Sequence, residues 1–548
     1  MRTMDPRTFL DHALSHVNIA TVLAFTVVYY LLTTYRKRQK LLANIPPGPK
    51  PWPVVGNFGF FLIPPCIRRL LEQQPVEKHR SRNAMVYFTE MSKVYGDVYS
   101  IFAGTTLMVV LNGYKVVKDA LSNHPEVFSD RPDIPSITIM TKRKGIVFAP
   151  YGPVWRKQRR FCHTTLRNFG LGKLSLEPCI LQGLETVKTQ LLHLHKDRGP
   201  SGFDLAPLIT NAVSNVICSM ALGQRFHHDD QEFRTLLNLM ARGLEICVNS
   251  PAVLINVFPF LYYLPFGVFR ELRQVERDIT AFLKRIIKKH RESLDPLNPR
   301  DLIDMYLLEM LAQQAAGEED SSFTEDYLFY IIGDLFIAGT DTTTNSALWI
   351  LLYMVLYPDI QGQNNTGGSY FTTRASYKVQ EEIDAVIGQH RAPSMTDKGS
   401  LPFTEATIME VQRLTVAVPL AIPHMTSIDT EFCGYTIPKG TVIIPNLWSV
   451  HRDPTVWDEP DEFKPTRFLD QEGNLLRKEY FMPFGTGRRV CMGEQLAKME
   501  LFLMVTSLLQ AFTFRLPEGQ SASPLQGRFG LTWAPSPFTV CVSPRSSR

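Results

Sequence analysis

The sequence predicts a mainly α-helical protein with small β-sheets and one N-terminal transmembrane helix. Three observations predict it. Apolar residues recur at helical spacing along most of the chain, as over 273–288 in 201–289, where they mark one face of a 3.6-residue period. Strand-like runs are short, at 98–102, 107–111, 442–445 and 538–542. Near the start, residues 12–35 carry no Asp, Glu, Lys or Arg and centre on the apolar run 19–32.

Composition agrees with a folded chain. Of 548 residues, 45% are hydrophobic, 11% aromatic and 20% charged, too apolar for a disordered protein. Thirty-three glycines exclude collagen, which needs about a third. A net charge of +5 over this length gives no basic footprint for nucleic acid, which calls for a dense patch or stripe.

Taking the elements in order, 12–35 is long enough to span a bilayer core, which about 20 helical residues cross. Arg36, Lys37, Arg38 and Lys40 come directly after it, whereas Arg2 and Arg7 are accompanied by Asp5 and Asp11. The positive-inside rule then places the large C-terminal part of the chain in the cytosol. A cleaved signal peptide fits less well, because the apolar run ends in Tyr-Arg-Lys-Arg without a small-residue cleavage site. Pro46, Pro47, Pro49, Pro51 and Pro53 read as a stiff spacer. No later linker or repeat divides the chain, so 1–45 reads as anchor and basic flank and 46–548 as one domain. Endoplasmic reticulum membrane is the expected location, with a mitochondrial fraction left open.

Eight cysteines without a C-x-x-C pair argue against zinc ribbons and thioredoxin-like motifs. Seven of them read as buried, reduced thiols, the eighth being Cys491.

A long helix is expected from Ser322-Phe-Thr-Glu325, which fits a capping box, to Tyr357, with Pro358 as its stop. After Asp326 only Asp334 and Asp341 carry charge in it. Its middle, Gly339-Thr-Asp-Thr-Thr-Thr-Asn345, would be costly inside a bilayer. It reads instead as a central core helix with a polar patch turned to an interior site. Glu410 and Arg413, three apart, share a helix face and can pair. Trp155 and Arg159, four apart, also share one.

The strongest signal is Phe484-Gly-Thr-Gly-Arg-Arg-Val-Cys-Met-Gly493, followed by a helical stretch from Glu494. Glycines let the backbone turn tightly. A cysteine just before a helix N-terminus, with Arg489 two residues away, is placed where a thiolate is favoured.

This run resembles the haem-binding loop of the cytochrome P-450 family, and the resemblance covers nearly all of the chain after Pro46. It implies that family's fold, with haem b between the long central helix and the Cys-bearing loop, and Cys491 as thiolate ligand of the iron. It further implies that Arg131, Trp155, Arg159, His424 and Arg489 bind the haem propionates. Glu410, Arg413 and Arg467 match the family's structural triad. Ala338-Gly-Thr-Asp-Thr-Thr343 matches its oxygen-activating stretch, making Thr342 the hydroxyl and Asp341 the acid that deliver protons. Gly339 would leave room for oxygen. Back-bonding to its own helix is the alternative for the Thr342 side chain, and both can hold, since a locally opened helix can also admit a water.

Residues 170–178, 261–267, 330–345 and 421–426 look like family 2, subfamily U. That implies hydroxylation of long-chain fatty acids such as arachidonic acid near the methyl end, using O2 and NADPH electrons. Other lipophilic small molecules are the alternative, and a haem-thiolate isomerase or non-enzymatic haem protein the second. The partners implied are NADPH–cytochrome reductase, met by Lys157, Arg160 and Arg488, and cytochrome b5. Ala338, Val418 and Leu420 are the expected pocket lining. Residues 362–377, absent from relatives, read as a loop, either native or a gene-model artefact. The Asn364-Asn-Thr366 sequon within it would not meet the glycosylation machinery on a cytosolic domain.

Overall fold

The computed structural model describes residues 83–357, 375–518 and 527–545, apart from breaks at 228, 250, 257 and 318–321, together with 44–51, 56, 57, 525 and six positions between 22 and 33. The long helices in chain order are α1 (Ala84–Tyr95), α2 (Pro153–Asn168), α3 (Glu177–Arg198), α4 (Ala206–Ala221), α5 (Gln231–Asn249), α6 (Gly267–Glu292), α7 (Leu302–Ala315), α8 (Glu325–Leu356), α9 (Ala375–Val386), α10 (Pro402–Leu414) and α11 (Glu494–Ala511). The expected balance of many helices and small sheets is therefore present.

The largest sheet joins β1 (Val98–Ala103), β2 (Thr106–Leu111), β6 (Val442–Pro445) and β3 (His424–Met425) in the order β1-β2-β6-β3. β1–β2 and β3–β6 are antiparallel and β2–β6 is parallel. Three two-stranded sheets complete the set: β4 (Thr430–Phe432) with β5 (Tyr435–Ile437), β7 (Phe512–Arg515) with β10 (Cys541–Pro544), and β8 (Gly527–Phe529) with β9 (Trp533–Pro535). The strand expected at 538–542 is shifted toward the C-terminus, because Val540 pairs instead with Phe203 in an isolated bridge.

α8 runs through the centre, against α4, α10 and α11. At ~1.5 Å per residue its 32 residues span about 48 Å. Its start differs from the expected capping box. Thr324, in extended backbone, accepts the Tyr327 N–H at 3.2 Å and caps the helix. The Ser322 carbonyl instead takes the Gln158 amide at 2.8 Å. Glu325 and Asp326 in the first turn suit the positive end of the helix dipole. From Leu348 to Val355 every residue is buried, as befits a helix inside the core rather than on its surface.

The six described positions in 12–35 are helical, and Val22, Phe25, Val28 and Tyr29 are exposed. The expected anchor otherwise lies outside the described residues, and among the described residues no helix is long and apolar enough to cross a membrane. The 362–377 stretch also lies outside them, except that 375–377 begin α9 rather than ending a loop. Among the described cysteines, Cys162 and Cys218 are buried, Cys179, Cys247 and Cys541 half-buried, and Cys433 exposed. The expectation of burial thus fails at Cys433, which sits at the tip of the β4–β5 hairpin with φ 52°.

Candidate functional site

A cavity of about 350 Å³ lies between α8, the Cys-bearing loop and the connection from α10 to β3. The loop's shape depends on glycine. Gly487 has φ 77°, and a Cβ there would stand 2.0 Å from the Leu121 carbonyl oxygen. Cys491 donates its N–H to the Phe484 carbonyl at 3.0 Å, closing the loop before α11. Cys491 is exposed and lines the cavity. Burial pushes the thiol up, while the Gly493 N–H and the Arg159 guanidinium favour its thiolate.

Around the same cavity stand Arg131, Arg159, His424 and Arg489. Arg131 donates Nε–H to Val147 at 2.9 Å and Nη1–H to the carbonyls of Ile422 and Pro423 at 2.8 and 2.9 Å. Arg489 reaches the carbonyls of Ser129, Ile146 and Ala149 at 2.9, 3.1 and 2.7 Å. Arg159 donates to the Val490 carbonyl. His424 donates Nδ1–H to the Phe128 carbonyl at 2.6 Å, which leaves Nε2 for a cavity ligand. These groups crowd positive charge. Burial lowers Arg131, and the charges of Arg489 and Arg159 lower it further. Burial takes Arg489 down to about 9. Buried cations are normally paired, so the cluster fits an anionic group bearing carboxylates.

Trp155 departs from its expected role. It lies outside the cavity lining, its indole N–H bonds the Ile146 carbonyl at 2.9 Å, and the Arg489 guanidinium sits 4.2 Å over its ring. It supports Arg489 from behind.

On the opposite wall α8 presents Ala338, Asp341 and Thr342. The Thr342 hydroxyl donates to the Ala338 carbonyl at 2.7 Å, so the back-bond is present at the cavity wall. Asp341 does not meet Thr342. Its carboxylate accepts the Thr532 hydroxyl, and Asn345 bonds the same pair. Gly339 lines the cavity, and a Cβ there would also come within 2.5 Å of the Ile217 side chain on α4, so its smallness serves helix packing as well. Val418 lines the cavity as expected, but Leu420 does not; it packs against the β1–β2–β6 core and the helical core.

The triad is assembled away from the cavity. Arg413 donates to Glu410 at 2.7 and 2.9 Å, and Arg467 to Glu410 at 2.9 Å. Arg413 also ties down the carbonyls of His451, Pro460 and Glu462. The motif thus fixes the 451–467 segment, not the chemistry.

Among the cavity residues to which the sequence reading gave no role in the site are Asp334, Thr532 and Glu500. Asp334 lies seven before Asp341, a spacing that puts both acids on one side of α8. Glu500 is buried with neither carboxylate oxygen bonded, and burial pushes its pKa well up.

Comparison with known proteins places the chain in a family. Residues 46–542 match the family model "Cytochrome P450". The chain is 57% identical to human cytochrome P450 2U1, with 93% of this chain and 91% of that one covered. It is 58% identical to the mouse protein of that name, covering 93% and 92%. To human cytochrome P450 2D6 it is 40% identical over 95% of this chain and 98% of that one. The family's enzymes hold haem by a cysteine thiolate and take NADPH electrons through a reductase. The chain belongs to the cytochrome P450 monooxygenases, in family 2, subfamily U.

Proposed function

We propose that this monooxygenase hydroxylates long-chain fatty acids near the methyl end. The observation that carries the reading is a mostly apolar cavity with Cys491 and Thr342 on its wall, together with the resemblance to subfamily U. In this reading Cys491 ligates haem iron, and Arg131, Arg159, His424 and Arg489 hold the haem carboxylates, with Trp155 bracing Arg489. When bound, the haem supplies oxygen activation, with the thiolate favouring O–O cleavage. The chain's own part is threefold. Buried guanidiniums orient the group, apolar walls exclude water from the reacting carbon, and Asp341 and Thr342 handle protons at the α8 wall.

We also read 46–548 as the catalytic domain and 1–45 as an anchor in the endoplasmic reticulum membrane. The exposed side chains of Phe258, Phe260, Tyr263 and Phe266 support a membrane-facing rim, since amphipathic aromatic patches sit well at such an interface. Lys157, Arg160 and Arg488 are candidates to meet an acidic reductase surface, and cytochrome b5 is the second candidate partner.

The experiment is turnover of the purified full chain with reductase and NADPH on a panel of fatty acids, steroids and drugs, with products read by mass spectrometry. Hydroxylated fatty acids formed in preference to the rest support the proposal. Products confined to steroids or drugs would replace the substrate class, and no oxygenated product would remove it.

A further inference from the structure

The hairpin formed by β8 and β9 is fixed to the central helix along one stripe. Asp341, Asn345 and Trp349 stand four apart on α8 and therefore share a face. Each meets the hairpin. The Trp349 indole N–H donates to the Trp533 carbonyl at 2.9 Å, and the two indole rings stack with centroids 6.1 Å apart. The Asn345 amide donates to the Thr532 hydroxyl oxygen at 3.1 Å. The Thr532 hydroxyl in turn donates to the Asp341 carboxylate.

The hairpin end is tied to its surroundings and closely packed. Trp533 donates its N–H to the Ala417 carbonyl at 2.8 Å, and the Gly530 N–H bonds the Thr532 carbonyl at 3.0 Å. Gly527 packs so closely that a Cβ there would lie 2.4 Å from the Trp533 ring. Thr532 is 8% exposed and Asn345 7%.

We propose that Thr532 is a positioning residue: its hydroxyl holds the Asp341 carboxylate in one orientation at the cavity wall and so sets how that acid exchanges protons. The inference rests on the reading of Asp341 as proton-handling acid and adds the residue that aims it. The direction is physical. Asn345 occupies an acceptor site on the Thr532 oxygen, so the hydroxyl proton is committed to Asp341. A donated hydrogen bond favours the ionised acid, against burial, which pushes Asp341 up. The charged group acting on Asp341 from the hairpin is Arg528, which also favours ionisation. On α8 itself the neighbouring acid is Asp334, two turns away. Thr532 lies beside Leu531, which also lines the cavity, so the same turn touches both the substrate space and the acid.

The test uses the full-length, haem-loaded enzyme with reductase and four variants: Thr532→Val, which keeps the shape and removes the hydroxyl; Thr532→Ser, which keeps the hydroxyl; Asp341→Asn; and Thr532→Val combined with Asp341→Asn. A parental ferrous carbonyl spectrum establishes that each variant is folded. The expected result is a loss of product per NADPH of about 3–10-fold in Thr532→Val, the worth of one hydrogen bond. KM stays unchanged, Thr532→Ser restores coupling, and Thr532→Val has no further effect in the Asp341→Asn background.

A second readout does not depend on turnover. The carboxyl band lost in Asp341→Asn, followed by infrared spectroscopy against pH, titrates at higher pH in Thr532→Val and at the parental position in Thr532→Ser. An unmoved titration in Thr532→Val overturns the proposal, as does an equal coupling loss in the Asp341→Asn background. If the titration moves while Asp341→Asn leaves coupling intact, the positioning role stands and the proton-handling role of Asp341 falls.

Discussion

The Asp334 carboxylate accepts the backbone N–H of Ile146 at 2.6 Å, and the same oxygen takes the N–H of Val147 at 2.9 Å. This fixes a loop whose carbonyls do further service: Ile146 receives Trp155 and Arg489, and Val147 receives Arg131. Gly145 is required beside it, with φ 81° and a Cβ position 2.3 Å from the acid oxygen. One acid on α8 therefore sets the geometry of the cationic wall across the cavity.

Asp334→Ala leaves the buried Ile146 N–H and the half-buried Val147 N–H unmet, at ~1–2 kcal/mol each. The expected loss is about 2–4 kcal/mol in urea melts, with weaker haem retention on gel filtration. Asp334→Asn keeps an acceptor at the same place and is expected to retain haem. Equal stability of Asp334→Ala and the parent would disprove the loop-anchoring role.

The same residue predicts a pH effect. Burial, opposed by the two N–H groups, Arg131 and Arg489, raises Asp334 to about 6. The folded acid holds its proton more tightly than the unfolded one, whose pKa is near 3.8. The stability that comes from protonation is present below about 4 and lost as pH rises through about 6. Asp334→Asn is neutral throughout, so its stability relative to the parent is expected to climb between those values and level off above them. A flat difference across that window would count against a protonated Asp334.

Arg413 and Glu410 are both fully buried and paired. Removing one partner of such a pair leaves an uncompensated buried charge and costs ~3–5 kcal/mol. Arg413→Ala is expected to yield little haem-loaded protein. Arg413→Lys keeps the charge but loses the planar fork that reaches Glu410 and three carbonyls at once, so it is expected to melt below the parent. Haem content and melting temperature read both variants.

How far the sequence revealed this arrangement depends on distance along the chain. The Glu410–Arg413 pair was legible because three residues on a helix share a face, and Cys491 because glycines, arginine and helix start are contiguous. The paired acids of α8 were visible as the isolated charges of an apolar helix, although only the fold shows that Asp334 serves a loop 188 residues away. Thr532 gave no signal, since its partner Asp341 is 191 residues distant and a threonine in a hairpin is ordinary on its own. Leu420 was misplaced because proximity in sequence to Val418 does not fix which way a side chain turns where the chain leaves the helix.

Gly339 and Ile217 provide a packing test. Adding a methyl group to Gly339 brings it within 2.5 Å of Ile217 Cδ1, the far end of a flexible side chain. Gly339→Ala gains helix propensity of about 1 kcal/mol but overpacks the α4–α8 contact, which costs ~1–3 kcal/mol. A net loss is expected, and Ile217→Val in the same protein is expected to recover part of it. Thermal melts of the two single variants and the double variant decide. If the double variant is no better than the sum of the singles, the two residues do not meet.

Thr342 separates proton handling from structure. Its hydroxyl bonds the Ala338 carbonyl at 2.7 Å inside a helix whose own ladder continues past it, and alanine is the better helix former. Thr342→Ala is therefore expected to fold and load haem as the parent does. A hydroxyl at the cavity wall can release its bond to Ala338 and hand a proton inward, which the methyl group of alanine cannot; positioned proton donors contribute ~100-fold or more where they act. NADPH consumption is expected to persist in Thr342→Ala while product falls and hydrogen peroxide rises, and Thr342→Ser, with the hydroxyl restored, is expected to move both back toward the parent. All three quantities are measured in one reconstituted assay, because unchanged coupling in Thr342→Ala would leave the hydroxyl as a helix bond and nothing more.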